Sequence, residues 1–336
     1  MRPPMKKLRA GKLPLDKLAD LLARHQRPAD RVVIPPRVGE DAAVIELPDR
    51  YLVIAADPIT FVTTDLGYYL VTVNANDVAT LGARPLFFTA VLLFPVGASM
   101  TEVSRTFADI EKACAALGVA WVGGHTEVTP LVSGPLAVGQ MVGEVPRDRL
   151  VRKQSVRPGD RILLTKELAV EAVSIIARTR TEEVRRSHGE AFLERAWGFI
   201  RDPGLSVVPE ALAAAAVGGV HAMHDPTEGG LSGGLHELSA AGGFGVTVRR
   251  AAIPISPETR ALSDELGLDP LGLIASGSLL VVVEAGRTEA VRQAIEAGGT
   301  RCTEIGEVTA TPGCRFDDGS PLPSFEIDEI ARLLAD

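Results

Sequence analysis

The stretch Asn74-Ala75-Asn76-Asp77-Val78-Ala79-Thr80-Leu81-Gly82-Ala83-Arg84-Pro85 sets amide and carboxylate side chains into an otherwise apolar run. Gly67 to Leu81 has helical length. Asn74 and Asp77 stand three residues apart, so they share one helix face. Burying such groups without partners costs roughly 1–3 kcal/mol each. They therefore reach the surface or hold a ligand or metal, and the sequence leaves both readings open. Upstream, Tyr51 to Ala56 reads as a buried strand that ends on Asp57. Before it, Gly39-Glu40-Asp41-Ala42-Ala43 places adjacent carboxylates between small residues, which taken alone is a solvated turn. Downstream, Leu86 to Phe94 reads as a strand. Ser99 and Glu102 have capping-box spacing for a helix that runs to Leu117. A strand at Val119 to Val122 then meets Gly123-Gly124-His125-Thr126-Glu127. Glycines there let phosphate oxygens approach backbone N–H groups closely, with a plain turn as the alternative. Pro135 to Val145 completes this half.

The charged stretch Pro146 to Gly159 separates two domains, 1–146 and 159–336, consistent with about 150 residues per domain. The first ~30 residues read as a mobile arm with a short amphipathic helix, Leu15 to Ala23. The second half alternates less regularly. Strands are expected at Arg161–Leu164, Val220–Met223, Phe244–Val248, Ser278–Glu284 and, last, Cys302–Val308. Helices are expected at Glu167–Arg178, Thr181–Ile200, Ser206–Ala216, Glu228–Ala241 and Thr288–Ala297. Without strict βαβ order the fold class is α+β, a sheet covered by helices in each half. The run His224-Asp225-Pro226-Thr227-Glu228-Gly229-Gly230 precedes one of those helices. Thr227 is its N-cap candidate. The glycine-rich helix start suits a phosphate, or is an ordinary capped start.

Composition narrows the function classes. The chain has 336 residues, a formal charge of −8 and only 4 % aromatics. Acids and bases are interspersed, with no basic stripe, so no nucleic-acid partner is expected. The most apolar later stretch, Val207 to Met223, carries Pro209 and Glu210 and is no membrane span. The three cysteines, Cys114, Cys302 and Cys314, show no paired spacing. That fits a reducing cytoplasm better than a disulfide framework or a zinc site. Of the three, only Cys314, in Thr311-Pro312-Gly313-Cys314, reads as mobile.

An acidic protein that handles phosphates must recruit cations, and Mg²⁺ takes oxygen ligands from carboxylates, phosphates and water. Glu40, Asp41, Asp57, Asp77 and Glu127 lie at different elements of one domain, and if they converge they repel one another without a cation. Taken together and in order, "GEDAA" at Gly39, Asp57, "NDVATLGARPL" from Asn76, "GGHTEV" from Gly123, "HAMHDPTEGGL" from His221 and "LGLDPLGLIASGSLLVVV" from Leu266 resemble the PurM-like, AIR synthase-related superfamily. The second-half motifs are most similar to its hydrogenase-maturation branch, HypE, as is "GKLP" at Gly11. The resemblance implies a two-domain PurM-like fold. It has an N-terminal sheet-and-helix ATP-binding domain, an α/β C-terminal domain, and dimers joined through their sheets. It implies ATP in a cleft, with Mg²⁺ held by Asp41, Asp57 and Asp77, and by Glu40 more weakly. Gly123, Gly124, His125, Thr126 and Asn76 would line the nucleotide. Asp225 and Thr227 would close the site from the second domain.

The sequence departs from the branch in one respect. It ends Glu329-Ile330-Ala331-Arg332-Leu333-Leu334-Ala335-Asp336, without the terminal cysteine that HypE converts to a thiocyanate. That chemistry is therefore not expected. Nor does any cysteine precede Cys114, where selenophosphate synthetase needs one. The expectation is an ATP-dependent enzyme that activates a substrate oxygen, on a small molecule or a protein tail, by phosphoryl transfer. The alternatives are a non-catalytic nucleotide-binding maturation partner and a kinase of the thiamine-monophosphate type, although "GGDT" of the latter is "GGHT" here.

Overall fold

The computed structural model describes residues 13–60, 62 and 64–335. Most of the N-terminal arm, and Gly11-Lys12 of the "GKLP" run, lie outside the described residues. After α1 (Leu15–His25) the first half runs β1 (Val32–Ile34), β2 (Ala43–Glu46), β3 (Arg50–Ala55), β4 (Pro58–Ile59), α2 (Leu66–Thr80), β5 (Arg84–Pro95), α3 (Met100–Leu117), β6 (Ala120–Thr129) and β7 (Leu136–Pro146). These strands form one sheet in the order β1-β2-β3-β7-β5-β6, with β4 beside β7. Pairing is antiparallel except β5 with β6.

Helix α2 is buried on nearly every side because it is caught between this sheet, α3 and the second half of the chain. Its crossing with α3 is so close that a Cβ on Gly67 would lie 2.6 Å from the Thr106 carbonyl. The capping box of α3 forms as its spacing predicts. Ser99 Oγ accepts from Glu102 N at 3.2 Å, and Glu102 Oε2 accepts from Ser99 N at 2.9 Å.

The second half runs β8 (Arg161–Thr165), α4 (Val170–Thr179), α5 (Thr181–His188), α6 (Glu190–Gly198), α7 (Val208–Val217), β9 (Val220–His224), α8 (Gly230–Gly242), β10 (Gly245–Val248), α9 (Pro257–Leu266), β11 (Leu280–Val283), α10 (Thr288–Ala297), β12 (Cys302–Thr309), β13 (Gly313–Phe316) and α11 (Glu329–Ala335). Its sheet has the order β13-β10-β12-β8-β11-β9. Both halves are therefore mixed sheet-and-helix layers, the α+β architecture.

Several expectations change. The helix expected over Thr181–Ile200 breaks at Gly189, which divides it into α5 and α6. β12 is not the last strand, because β13 adds in parallel to β10. Cys314 sits in β13, buried, with its thiol toward the Leu235 carbonyl at 3.5 Å, so it is not in a mobile loop. The strand expected at Val119–Val122 runs on through Gly123–Glu127 to Thr129. The stretch between the domains is pinned: Val151 N donates to the Leu81 carbonyl at 3.1 Å.

Candidate functional site

Four aspartates from four different elements meet where the two halves touch. Asp41 leads into β2, Asp57 follows β3, Asp77 lies on α2, and Asp225 follows β9 of the second half. Asp41 is the hub. Its Oδ1 accepts from His224 Nδ1 at 2.8 Å, and its Oδ2 from Lys153 Nζ at 3.1 Å and Thr80 Oγ1 at 3.3 Å. His224 turns its other nitrogen to Glu237 Oε2 on α8 at 3.2 Å. Lys153 also donates to the Gly39 carbonyl. Asn74 holds Asp57 in place through the backbone, accepting from Asp57 N at 2.9 Å and donating to its carbonyl at 3.3 Å.

The charges are arranged unevenly. The side chains of Lys153 and His224 are only 4 % and 5 % exposed. Burial alone would raise Asp41, but the neighbouring His224 and Lys153 hold its carboxyl well below the usual range. Burial opposes charge on His224, yet Asp41 and Glu237 lift it to about 9, so it is an imidazolium at neutral pH. Asp225 goes the other way. Burial first, then the Asp41 charge, pushes it up to about 8. Burial and the nearby carboxyls of Asp225 and Asp57 raise Asp77 well above its ordinary value. One oxygen of Asp77 and one of Asp225, Oδ2 in each, is buried with no hydrogen-bond partner. A buried carboxyl oxygen without a donor is a costly arrangement that a cation would relieve.

A ligand atom each from Asp41, His224 and Asp225 also lies within 4.8 Å of the others. His224 is nonetheless a poor ligand, because both its nitrogens already face carboxylates. With Asp41 neutralised by Lys153 and His224, the oxygens left for a cation belong to Asp57, Asp77 and Asp225. An all-oxygen set suits Mg²⁺, and binding it would displace the proton that Asp225 holds at neutral pH.

Glu40 borders the cluster: its Oε2 lies 4.0 Å from Lys153 Nζ, and its Oε1 accepts from Gln154 Nε2 at 3.3 Å. The remaining candidates fall elsewhere. Asn76 is fully buried, and its amide clamps the second half instead of facing the acids. It donates to the Leu205 carbonyl at 2.9 Å and accepts from Val207 N at 2.9 Å. Gly123, Gly124, His125 and Thr126 lie on β6, the exposed edge strand, with His125 Nε2 3.3 Å from Glu127 Oε2. They line a groove of about 400 Å³ with Phe107 and Trp121. Among the described residues no hydrogen bond or ion pair joins them to the Asp41 group. Glu127 is therefore not part of the acidic cage. Thr227 is not the N-cap of α8, which starts later, with Gly229 in the left-handed region at φ 86° as its cap. The anion at that helix start is the chain's own Asp328, whose Oδ2 accepts from Gly229 N at 2.7 Å.

Sequence reasoning did not single out His224, Glu237 or Lys153. His224 lies inside a quoted motif next to Asp225, so a signal existed. Lys153 sat in what reads as a linker and gave none. Burial pushes the thiols of Cys114 and Cys302 up to about 11 and about 12, and it also raises Cys314. Among the described residues no helix is long and apolar enough to cross a membrane.

The family profile "AIR synthase related protein, N-terminal domain" matches residues 39–145, and the corresponding C-terminal domain profile matches residues 157–319. Carbamoyl dehydratase HypE of Cupriavidus necator is 31 % identical over 285 residues, which cover 81 % of this chain and 77 % of that protein. The crystal structure of a HypE–HypF complex superposes with a TM-score of 0.75 at 21 % identity, covering 93 % of this chain and 99 % of the other. HypE in complex with ATP gives a TM-score of 0.71 at 24 % identity, covering 96 % and 97 %. Both domains are matched in order and most of the length is shared with HypE relatives: the chain belongs to the AIR synthase related family, with HypE proteins among its relatives.

Proposed function

We propose that the chain binds Mg²⁺ and ATP at the seam between its halves and transfers a phosphoryl group to a substrate oxygen. The observation that carries this reading is the convergence of Asp57, Asp77 and Asp225 around Asp41, with two buried carboxyl oxygens left unpartnered. Asp57, Asp77 and Asp225 would hold Mg²⁺, which neutralises phosphate charge as transfer proceeds. Lys153 and His224 keep Asp41 ionised and fixed, so that the cluster stays assembled from both domains. A HypE relative of known structure carries ATP, which supports the choice of nucleotide.

We place the phosphate-lining residues Gly123, Gly124, His125 and Thr126 in a site shared between two copies. They stand on an unpaired sheet edge beside the exposed Phe87, Val91, Val122 and Val128, an apolar face suited to a homodimer. The name carbamoyl dehydratase, borne by relatives, suggests a carboxamide oxygen as the acceptor. None of Cys114, Cys302 and Cys314 is placed to carry that group, since all are buried. The acceptor is then a small molecule or the tail of another protein. Calorimetry tests the reading: ATP should bind with Mg²⁺ and only weakly without it. Equal binding of AMP, ADP and ATP regardless of metal would overturn it.

A further inference from the structure

The family's C-terminal domain profile stops at residue 319, and the chain runs on from there through α11 to Ala335. This last stretch is docked on the second domain. Leu322, Ile330 and Leu333 are buried. The Pro323 carbonyl accepts from Ser232 Oγ and, at 3.2 Å, from His236 Nε2, both on α8. The Phe325 ring lies so close to Gly272 that a Cβ there would be 2.6 Å from its Cδ1. Glu329 Oε2 accepts from Asp269 N at 3.3 Å, and Arg332 Nη2 donates to the Gly267 carbonyl at 2.9 Å.

Within this stretch lies Asp328, which is buried. Each of its oxygens serves a different helix. Oδ1 accepts from Ile330 N at 2.7 Å at the start of α11, and Oδ2 accepts from Gly229 N at 2.7 Å at the start of α8. Burial raises the carboxyl to about 6, so at neutral pH it is an anion and both bonds are charge-assisted. A cap for α11 needs only the first bond. The second reaches across 99 residues to the loop that carries Asp225, because Gly229 is the fourth residue after it. The same loop is held at two further points. A Cβ on Gly234 of α8 would lie 2.7 Å from Pro226 Cβ, and Ala275 N donates to the Thr227 carbonyl at 3.3 Å. Its bend passes through Gly229 and Gly230, both at positive φ. Glycine loses more freedom than any other residue when it is fixed, so the bend needs an anchor where Asp328 provides one.

We infer that Asp328 is a positioning residue of the acid cluster: with the docked C-terminal segment it clamps the loop Asp225–Gly230, so that Asp225 stays where it meets Asp41, Asp57 and Asp77. The C-terminal segment is thus a brace of the site and not an arm that swings into it. What the clamped loop is for rests on the proposed function, whereas the clamp itself does not.

Two measurements on the full chain test this: amide hydrogen exchange over residues 225–232, read by mass spectrometry, and calorimetry with Mg-ATP. In Asp328→Ala the loop should exchange about tenfold faster and Mg-ATP should bind about tenfold more weakly, the equivalent of one charge-assisted hydrogen bond. Asp328→Asn keeps an acceptor oxygen for one of the two amides and should recover part of both, leaving effects of about threefold; if the alanine variant does not fold, this one carries the comparison. Val291→Ala hollows a buried position on α10, which packs on α7 and β12, and should leave loop exchange and Mg-ATP affinity as in the wild type. Unchanged loop exchange in the Asp328 variants would overturn the clamp. Faster exchange with Mg-ATP affinity intact, or an equal loss of affinity in Val291→Ala, would overturn the positioning role. A wild type that binds no Mg-ATP would sink the nucleotide reading instead, and loop exchange would still decide the clamp.

Discussion

Replacing Asp225 by Asn should make the metal-free protein more stable while removing its affinity for Mg-ATP. In the folded chain burial and Asp41 raise Asp225 from 3.8 to about 8. At pH 7 the native state therefore keeps a proton that the unfolded chain has released. Holding it over roughly three pH units at 1.36 kcal/mol each costs about 4 kcal/mol as an upper bound. The nearby Asp77 and Asp225 carboxyls each raise the cost of charge on the other, so part of that cost is shared, and a gain of about 2 kcal/mol is the working figure. Asparagine keeps the shape and is neutral without the proton. The sign follows from the raised value. The contribution of Asp225 is fully present below about pH 4 and is lost as pH climbs through about 8. Wild-type stability without metal should thus fall across that window, and Asp225→Asn should flatten the fall. Urea unfolding at pH 5 and pH 7.5, with Mg-ATP calorimetry in parallel, measures both effects. A variant less stable than wild type at pH 7.5 without metal, or one that binds Mg-ATP as tightly as wild type, would refute the reasoning.

Other perturbations probe neighbouring parts of the structure. Lys153→Met strips a buried cation from Asp41 and should cost about 3–5 kcal/mol in urea unfolding, as breaking a buried pair does; a loss below ~1 kcal/mol would show that His224 alone suffices. Gly124→Ala should dislodge β6, since its Cβ would lie 1.9 Å from the Ala90 carbonyl at a backbone φ of 146°; we expect at least ~2 kcal/mol of destabilisation. Light scattering should show a dimer at micromolar concentration, and Val122→Lys on the exposed β6 face should yield monomers; a monomeric wild type would contradict the shared site. Iodoacetamide at pH 8 should leave Cys114, Cys302 and Cys314 unmodified in the native protein and label all three in urea, by mass spectrometry.

Local patterns were readable where one short-range force dominates. The capping box at Ser99 and Glu102 needs only three residues and formed as its spacing implied. The α+β class and the position of α2 also follow from residue types set into apolar runs, whereas grouping Asp41, Asp57, Asp77 and Asp225 in one site came from the resemblance of their motifs. The extent of β6 was misread, because Gly123-Gly124 looks like a turn in isolation, whereas pairing with β5 holds it extended. Thr227 has the residue type of an N-cap, yet Gly229 in the left-handed region starts α8 later and Asp328 supplies the anion there.

The sequence by itself determined which side chains could do phosphate and metal chemistry, since residue type and an apolar setting make a carboxylate conspicuous. The tertiary structure alone decided which of them meet. Asp41 and Asp225 are 184 residues apart, and no local rule predicts that His224 bridges Asp41 to Glu237 across the domain seam. Asn76 and Asp77 are neighbours in the chain, but consecutive positions on a helix point in different directions. One therefore clamps Leu205 and Val207, and the other faces the acids. Lys153 lay in what reads as a linker, and it became the counter-charge of the site because folding carried it into a buried place where an ionised aspartate needs a partner.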